Sequence, residues 1–141
     1  MKRITAIALF ALATLVAGSA MAQERAVKAT VPFDFTVGSA HIPAGTYTIM
    51  STSTSTLIEL RSDTGKVHIF GAAYPDGKQW NRSSLVFDRY GDRYFLHEIR
   101  CSNSAMNLEL PVTKWEKQAQ QQQASLEQHT DEVFIALAEI K

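Results

Sequence analysis

Four histidines and one cysteine are the side chains of this sequence best suited to metal binding or nucleophilic chemistry. The histidines His41, His68, His97 and His129 are separated by 27, 29 and 32 residues. Zinc and copper sites usually show closely spaced ligand pairs, and scattered histidines lack that signature. The sequence therefore predicts ordinary surface or rim histidines, with no metal site and no cofactor.

Cys101 is the only cysteine, so an exported form of this chain would have no internal disulfide to form. His97 precedes Cys101 by four residues, on what the pattern predicts to be the same strand. Catalytic use of the thiol would need a nearby base, and this spacing alone is weak support for one. The sequence favours a half-buried small apolar residue near a strand end, with an intermolecular disulfide as the alternative.

Paired carboxylates are the other candidates for catalysis. Asp34 and Glu98 lie on two separate predicted strands, and acid/base chemistry of the glycosidase type would require their carboxyl groups at about 5–9 Å. The chain contains no Gly-x-Ser-x-Gly elbow, phosphate-binding glycine-rich loop, Cys-x-x-Cys or His-Glu-x-x-His. The sequence therefore predicts no catalytic residues and a protein that is not an enzyme.

Residues 1–22 have the pattern of a signal peptide. Lys2 and Arg3 precede an apolar run at residues 4–16, and Ala20 and Ala22 place small residues where a signal peptidase would cleave. A retained membrane anchor is the alternative. We expect a mature chain of 119 residues, periplasmic or secreted, with no transmembrane segment. Its 12 basic and 14 acidic residues give no basic excess of the kind that nucleic-acid binding usually requires.

Strands would have to position the residues that could do chemistry. Residues 27–49 predict the first two of these strands. Side chains alternate between the faces of a strand, and a Pro-Gly turn at residues 42–45 precedes a second strand. This alternation predicts one apolar ridge that faces a core. Its apolar residues, at every odd position from 27 to 37, are Val27, Ala29, Val31, Phe33, Phe35 and Val37.

Two further hairpins follow in the sequence. Residues 57–60 and 66–70 flank a turn cluster that ends at Gly65, and a third hairpin is centred on Gly91 and Asp92. A two-residue turn there predicts three cross-strand pairs of types that stabilise adjacent strands. The predicted pairs are Tyr90 with Arg93, Arg89 with Tyr94, and Phe87 with Leu96.

The tip of the third hairpin is also the candidate interaction surface. It carries Arg89, Tyr90, Arg93 and Tyr94 among alternating charges. Such a tip is typical of a salt-bridged, soluble hairpin. The alternative is a contact surface for a partner, in which Tyr90 and Tyr94 would be the anchors.

A capping box predicts the start of one late helix. The hydroxyl of Thr113 can accept from the backbone N–H of Glu116, whose carboxylate can bond back. We predict a helix at about residues 114–127, held chiefly by Trp115. One stripe at helical spacing comprises Trp115, Ala119, Gln122 and Leu126, which Gln122 weakens, so the helix is predicted to be mostly solvated. Residues 132–140 predict a closing strand, with a second helix as the alternative.

Several of these motifs together resemble a family of small exported bacterial proteins of unknown function. The shared features are an F-x-F-x-V-G strand at residues 33–38, a P-A-G-x-Y corner at 43–47, and an R-Y-G hairpin at 89–91. The fourth is an L-P-x-[ST]-x-x-E helix start at residues 110–116. The resemblance implies the same fold and export, and it supplies no catalytic residue or ligand.

These patterns predict a mainly β, antiparallel small barrel or sandwich of about seven strands with one helix in the C-terminal region. Residues 23–141 would form a single domain. The leading functional hypothesis is a non-catalytic binding or structural module that acts on an unknown partner through its surface. The alternative is a carrier whose barrel interior holds a small apolar ligand. Its lining would comprise Phe33, Phe35, Tyr47, Phe87 and Phe95.

Overall fold

A computed structural model describes residues 25–51, 56–102, 106–126 and 129–140. The predicted signal peptide at residues 1–22 lies outside these ranges. The described chain is mainly β-structure, with one α-helix, α1 (Lys114–Ser125). This confirms the predicted fold class.

The strands form two sheets. The first has five strands in the order β12 (Ala138–Ile140), β1 (Arg25–Val31), β4 (Gly45–Ser51), β5 (Leu57–Ser62) and β6 (His68–Ala72). The second contains β11 (Asp131–Ala136), β8 (Ser84–Tyr90), β9 (Arg93–Arg100), β10 (Leu108–Glu109) and β7 (Tyr74–Pro75) in that order, with β2 (Phe35–Val37) and β3 (Ala40–Ile42) on a branch. β2 pairs in parallel with β9, and the other pairings of the described strands are antiparallel.

The chain passes between the two sheets at several points. β6 leads through the buried residue Ala73 into β7, and β11 leads through Leu137 into β12. Segments that switch sheets in this way close the corners of small barrels and orthogonal sandwiches. There are more strands than the predicted seven because single predicted strands are divided between partners.

The first predicted strand is one of those divided. β1 ends at Val31 and β2 begins at Phe35, so the prediction of one continuous strand is wrong. Pro32 has no backbone N–H for a sheet hydrogen bond, and Asp34 accepts a hydrogen bond from the Ala44 N–H at 2.9 Å. The predicted apolar ridge is still buried on both sides of the bend, whereas Phe33, in the bend, is only partly buried.

The third hairpin has the predicted register. Tyr90 lies opposite Arg93, Arg89 opposite Tyr94, and Phe87 opposite Leu96. Gly91 adopts a φ of 62°, which a tight turn between two strands requires. The cross-strand pairs were predictable because a two-residue turn determines the register of both strands.

A β-bulge interrupts this hairpin beyond its predicted part. Phe87 pairs with Leu96 and Val86 with Glu98, so no β8 residue lies opposite His97. Leu96 and Ile99 both lie in the core although they are three residues apart, a spacing that strict alternation forbids. The bulge therefore returns Ile99 to the core, while alternation from Leu96 places the side chain of His97 on the opposite face.

Helix α1 begins as predicted but contacts the sheet through a different face. The Thr113 hydroxyl accepts from the Glu116 N–H at 3.3 Å, which confirms the cap. Trp115 is 49% exposed, so the prediction that it holds the helix is wrong. The buried residues are Glu116, Ala119 and Gln123. Ala119 packs with Tyr90 and Phe95, and these sheet residues select the buried face.

The helix cap provides a test of the contribution of α1 to stability. Thr113→Ala removes the side-chain acceptor for the Glu116 N–H, so we expect the free energy of unfolding to fall by about 1 kcal/mol. Thr113→Ser keeps an acceptor and is the matched control, and urea denaturation followed by circular dichroism measures both. Equal stability of the wild type and the alanine variant would contradict a role for this cap.

The C-terminal segment is extended, as predicted, and the helical alternative is wrong. β11 pairs with β8 from Asp131, opposite Arg89, to Ala136, opposite Ser84. β12 then pairs with the N-terminal part of β1. The β-branched residues at the start of this segment therefore identified a strand, which pairs with the edge of β8 that β9 leaves open.

Candidate functional site

Three titratable side chains from three elements meet on the outer face of the second sheet, beneath α1. Asp88 comes from β8, His97 from the bulge in β9, and Glu116 from the first turn of α1. One ligand atom from each lies within 4.8 Å of the other two. We call these three residues the Asp88–His97–Glu116 cluster.

The cluster is largely covered. The side chains of Asp88 and His97 are 14% and 20% exposed, and Glu116 is 4% exposed. Asp88 Oδ2 lies 3.6 Å from His97 Nδ1, and the Tyr90 hydroxyl donates to Glu116 Oε1 at 3.3 Å. Two carboxyl groups and an imidazole are therefore held together with little access to water.

Burial and the neighbouring carboxylate change the acidity of Glu116. Removal from water disfavours its charged form, and the charge of Asp88 adds to this, so the pKa of Glu116 rises to about 7 despite the hydrogen bond from Tyr90. Burial also raises the pKa of Tyr90, and Glu116 and Asp88 contribute to that shift through their charges. Both groups therefore favour their protonated forms.

The two nitrogens of His97 face different surroundings. Nε2 lies 3.7 Å from Glu98 Oε1 and 4.0 Å from Glu109 Oε1, and Arg100 Nε donates to Glu98 at 2.6 Å. Nδ1 is buried and has no hydrogen-bond partner among the described residues. It lies on the side of Asp88, so this arrangement can bind a cation or exchange protons between its members.

Sequence reasoning missed this cluster. It treated His97 as an isolated histidine and Glu116 as half of a capping box, but the Glu116 carboxylate accepts from Tyr90. No local pattern indicates that α1 packs over the face of β8 and β9 that carries Asp88 and His97. The available signal was the register of the third hairpin, because the pairing of Phe87 with Leu96 places Asp88 and His97 on the same face of adjacent strands.

The predicted interaction surface is divided by the helix. Tyr90 is 6% exposed beneath α1, so it cannot anchor a surface contact. Arg93 donates to Gln122 of α1, and Tyr94 stacks on Phe33 with ring centroids 3.9 Å apart. Arg89 is exposed and donates to the Gly91 carbonyl at 2.9 Å. These contacts assign most of the hairpin tip to holding the helix and the bend.

The five predicted ligand-lining side chains do not surround one space. Phe35 lies edge-on to Tyr47 and to Phe87, with centroids 5.5 and 5.3 Å apart, and Phe33 lies edge-on to Phe87 at 5.1 Å. These four rings pack on each other in the core. Phe95 lies on the opposite face of its sheet, against Tyr90.

The remaining candidates from the sequence lie apart from the cluster. His41 lies 3.8 Å from Asp34 on the surface, and His68 lies 2.6 Å from Glu59 on the first sheet. Asp34 bonds to the Ala44 N–H, and it therefore has a structural partner of its own. Cys101 lies in the core, and is therefore more deeply buried than the half-buried position that the sequence favoured.

A second surface feature lies at the end of the first sheet. β6 pairs with β5 and has no other partner strand among those that the structure describes. Phe70 on this strand is 65% exposed, and Leu57 on β5 is also exposed. Apolar side chains at a sheet edge are a common feature of surfaces that pair with another chain.

No family model, curated protein or solved structure matches this chain. The resemblance seen in its motifs therefore stays a prediction. Within the described ranges, no helix has the length and apolar character needed to cross a membrane.

Proposed function

We propose that this chain is an exported, non-catalytic binding module that captures an extended segment of a partner protein along β6. The observation that carries the proposal is the position of β6 as the last strand of the first sheet, with Phe70 exposed on it. Export rests on the signal-peptide pattern of residues 1–22.

An edge strand offers a row of backbone donors and acceptors to an added strand. Such pairing gives affinity through main-chain hydrogen bonds, and specificity through alternate side chains on one face. Phe70 lies opposite Glu59, and Leu57 lies opposite Ala72. Phe70 and Leu57 are therefore diagonal neighbours on the outer face. A strand added beside β6 would meet the side chains of His68, Phe70 and Ala72 on this face.

Polar groups beside this apolar pair would limit which partners bind. Glu59 accepts hydrogen bonds from Arg61 and pairs with His68, with both contacts at 2.6 Å. A partner strand would have to match these charges as well as cover Phe70. The covered position of Glu116 and Tyr90 supports the non-catalytic part of the proposal, because a substrate would have to displace α1 to reach them.

Phe70→Lys should abolish capture of the partner. Leu126→Lys is the matched control, because Leu126 is 66% exposed at the far end of α1 and the substitution is the same. We expect wild type and Leu126→Lys to retain the same protein from the periplasmic fraction or culture medium of the host, and Phe70→Lys to retain at least tenfold less. Quantitative mass spectrometry of the retained proteins measures this difference.

Two results would contradict the proposal. Equal recovery by the Phe70→Lys variant would place the binding surface elsewhere. Capture of a second copy of this chain, with a dimer in size-exclusion chromatography that Phe70→Lys disrupts, would identify β6 as a self-association edge.

A further inference from the structure

We propose that Asp88, His97 and Glu116 bind one divalent transition-metal ion, with Zn²⁺ as the best match, between the second sheet and α1. This site lies on a different sheet from β6, so the inference is independent of the proposed capture of a partner. It rests on donor geometry, on the orientation of His97 and on the chemistry of the three ligands.

The donor atoms are spaced as a small metal ion requires. Ligand atoms at about 2.0–2.2 Å from a tetrahedral zinc ion lie roughly 3.4 Å from each other. Asp88 Oδ2 and His97 Nδ1 are 3.6 Å apart, and no pair in the cluster exceeds 4.8 Å. Small rotations of the carboxyl groups would bring all three donors to one ion.

His97 is oriented as a metal ligand. Metal-binding histidines generally direct their second ring nitrogen towards a carboxylate or carbonyl, which leaves the lone pair of the first for the metal. The Nε2 side faces Glu98 and Glu109, so Nδ1 is the nitrogen left for a metal. Nδ1 is also the buried atom without a hydrogen-bond partner, and a bound cation would satisfy it.

The ligand set favours a transition metal over calcium or magnesium. One imidazole and two carboxylates suit Zn²⁺ and its first-row neighbours, whereas Ca²⁺ and Mg²⁺ prefer oxygen ligands alone. A cation between Asp88 and Glu116 would also remove the repulsion between two adjacent carboxylates.

The site would join two parts of the fold. Asp88 and His97 belong to the β8–β9 hairpin, whereas Glu116 belongs to α1. A metal ion bound to all three would hold the helix on the sheet, because binding to the folded state alone stabilises that state. The hydrogen bond from Tyr90 to Glu116 would orient the helix ligand.

Calorimetric titration of the purified exported chain, stripped of metal with EDTA and dialysed, tests this inference. We expect ZnCl₂ to bind with a stoichiometry of one. His97→Ala and Asp88→Asn should each weaken zinc binding at least tenfold. Loss of a residue that only orients a metal ligand already lowers metal affinity by about tenfold or more, and each of these variants removes a ligand itself. His68→Ala is the matched control, because His68 also pairs with a glutamate but lies on the first sheet.

Absence of zinc binding by the wild type would overturn the proposal, and so would equal weakening by His68→Ala and His97→Ala. Equal binding of Mg²⁺ or Ca²⁺ would overturn the assignment to a transition metal. Co²⁺ gives a visible absorption spectrum that reports on its ligands, and the spectrum should change in Asp88→Asn. Asp88→Asn preserves the shape of its side chain, so it provides the comparison if His97→Ala does not fold.

Discussion

Replacing Phe35 with alanine is expected to lower the free energy of unfolding by about 3–5 kcal/mol. Phe35 is 1% exposed, and its ring packs edge-on against Tyr47 and Phe87. Truncation would remove both ring contacts and leave a cavity between β2, β4 and β8. Because these strands come from both sheets, the surrounding side chains have little freedom to fill the space.

Urea denaturation monitored by tryptophan fluorescence measures this loss. Phe70→Ala is the matched control, because it makes the same change at an exposed position and should alter stability by less than about 1 kcal/mol. A loss of under about 1 kcal/mol for Phe35→Ala as well would show that the apolar ridge does not pack as the core.

Glu116→Gln is expected to remove a loss of stability that the metal-free wild type shows as pH rises. The pKa of Glu116 rises from 4.5 to about 7 in the folded state because of burial and the nearby Asp88 carboxylate. Between these values the folded chain keeps a proton that the unfolded chain releases, so stability falls as pH rises. The groups that face Glu116 are Asp88 and Tyr90 of β8 and His97 of β9.

Above pH 7 the wild type must bury an ionised carboxylate, whereas glutamine carries no charge. We expect Glu116→Gln to be more stable than the wild type at pH 8 by on the order of 1–3 kcal/mol, and this advantage to shrink at pH 5. Urea denaturation in EDTA at both pH values measures it, with Glu132→Gln, at an exposed position of β11, as the control. The same pH slope in the wild type and Glu116→Gln would refute the assignment.

Local sequence patterns predicted several elements well. The turn at Gly91 determined the third hairpin, since its length leaves one register for Tyr90 and Arg93. The hydroxyl of Thr113 likewise identified the first turn of α1. These features depend on residues that are close in the chain, so a single sequence contains their causes.

Long-range contacts explain the predictions that were wrong. Alternation alone extended the first strand through Pro32, but the chain bends there to pass from one sheet to the other. The helical stripe favoured Trp115, but the sheet offers a surface formed by Tyr90 and Phe95, against which Ala119 packs. In each case the partner surface, and not the local pattern, determined the result.

The sequence by itself determined the class of fold, because alternating apolar residues, tight turns and a helix cap act within short segments. It also contained every residue of the Asp88–His97–Glu116 cluster, and the register of the third hairpin places Asp88 and His97 on one face, but nothing in the sequence connects them to Glu116. Only the tertiary structure decided that connection: α1 packs on this face of the sheet and places Glu116 beside Asp88 and His97. The physical reason is that metal binding and pKa shifts depend on distances of a few ångströms between side chains, and the fold sets those distances.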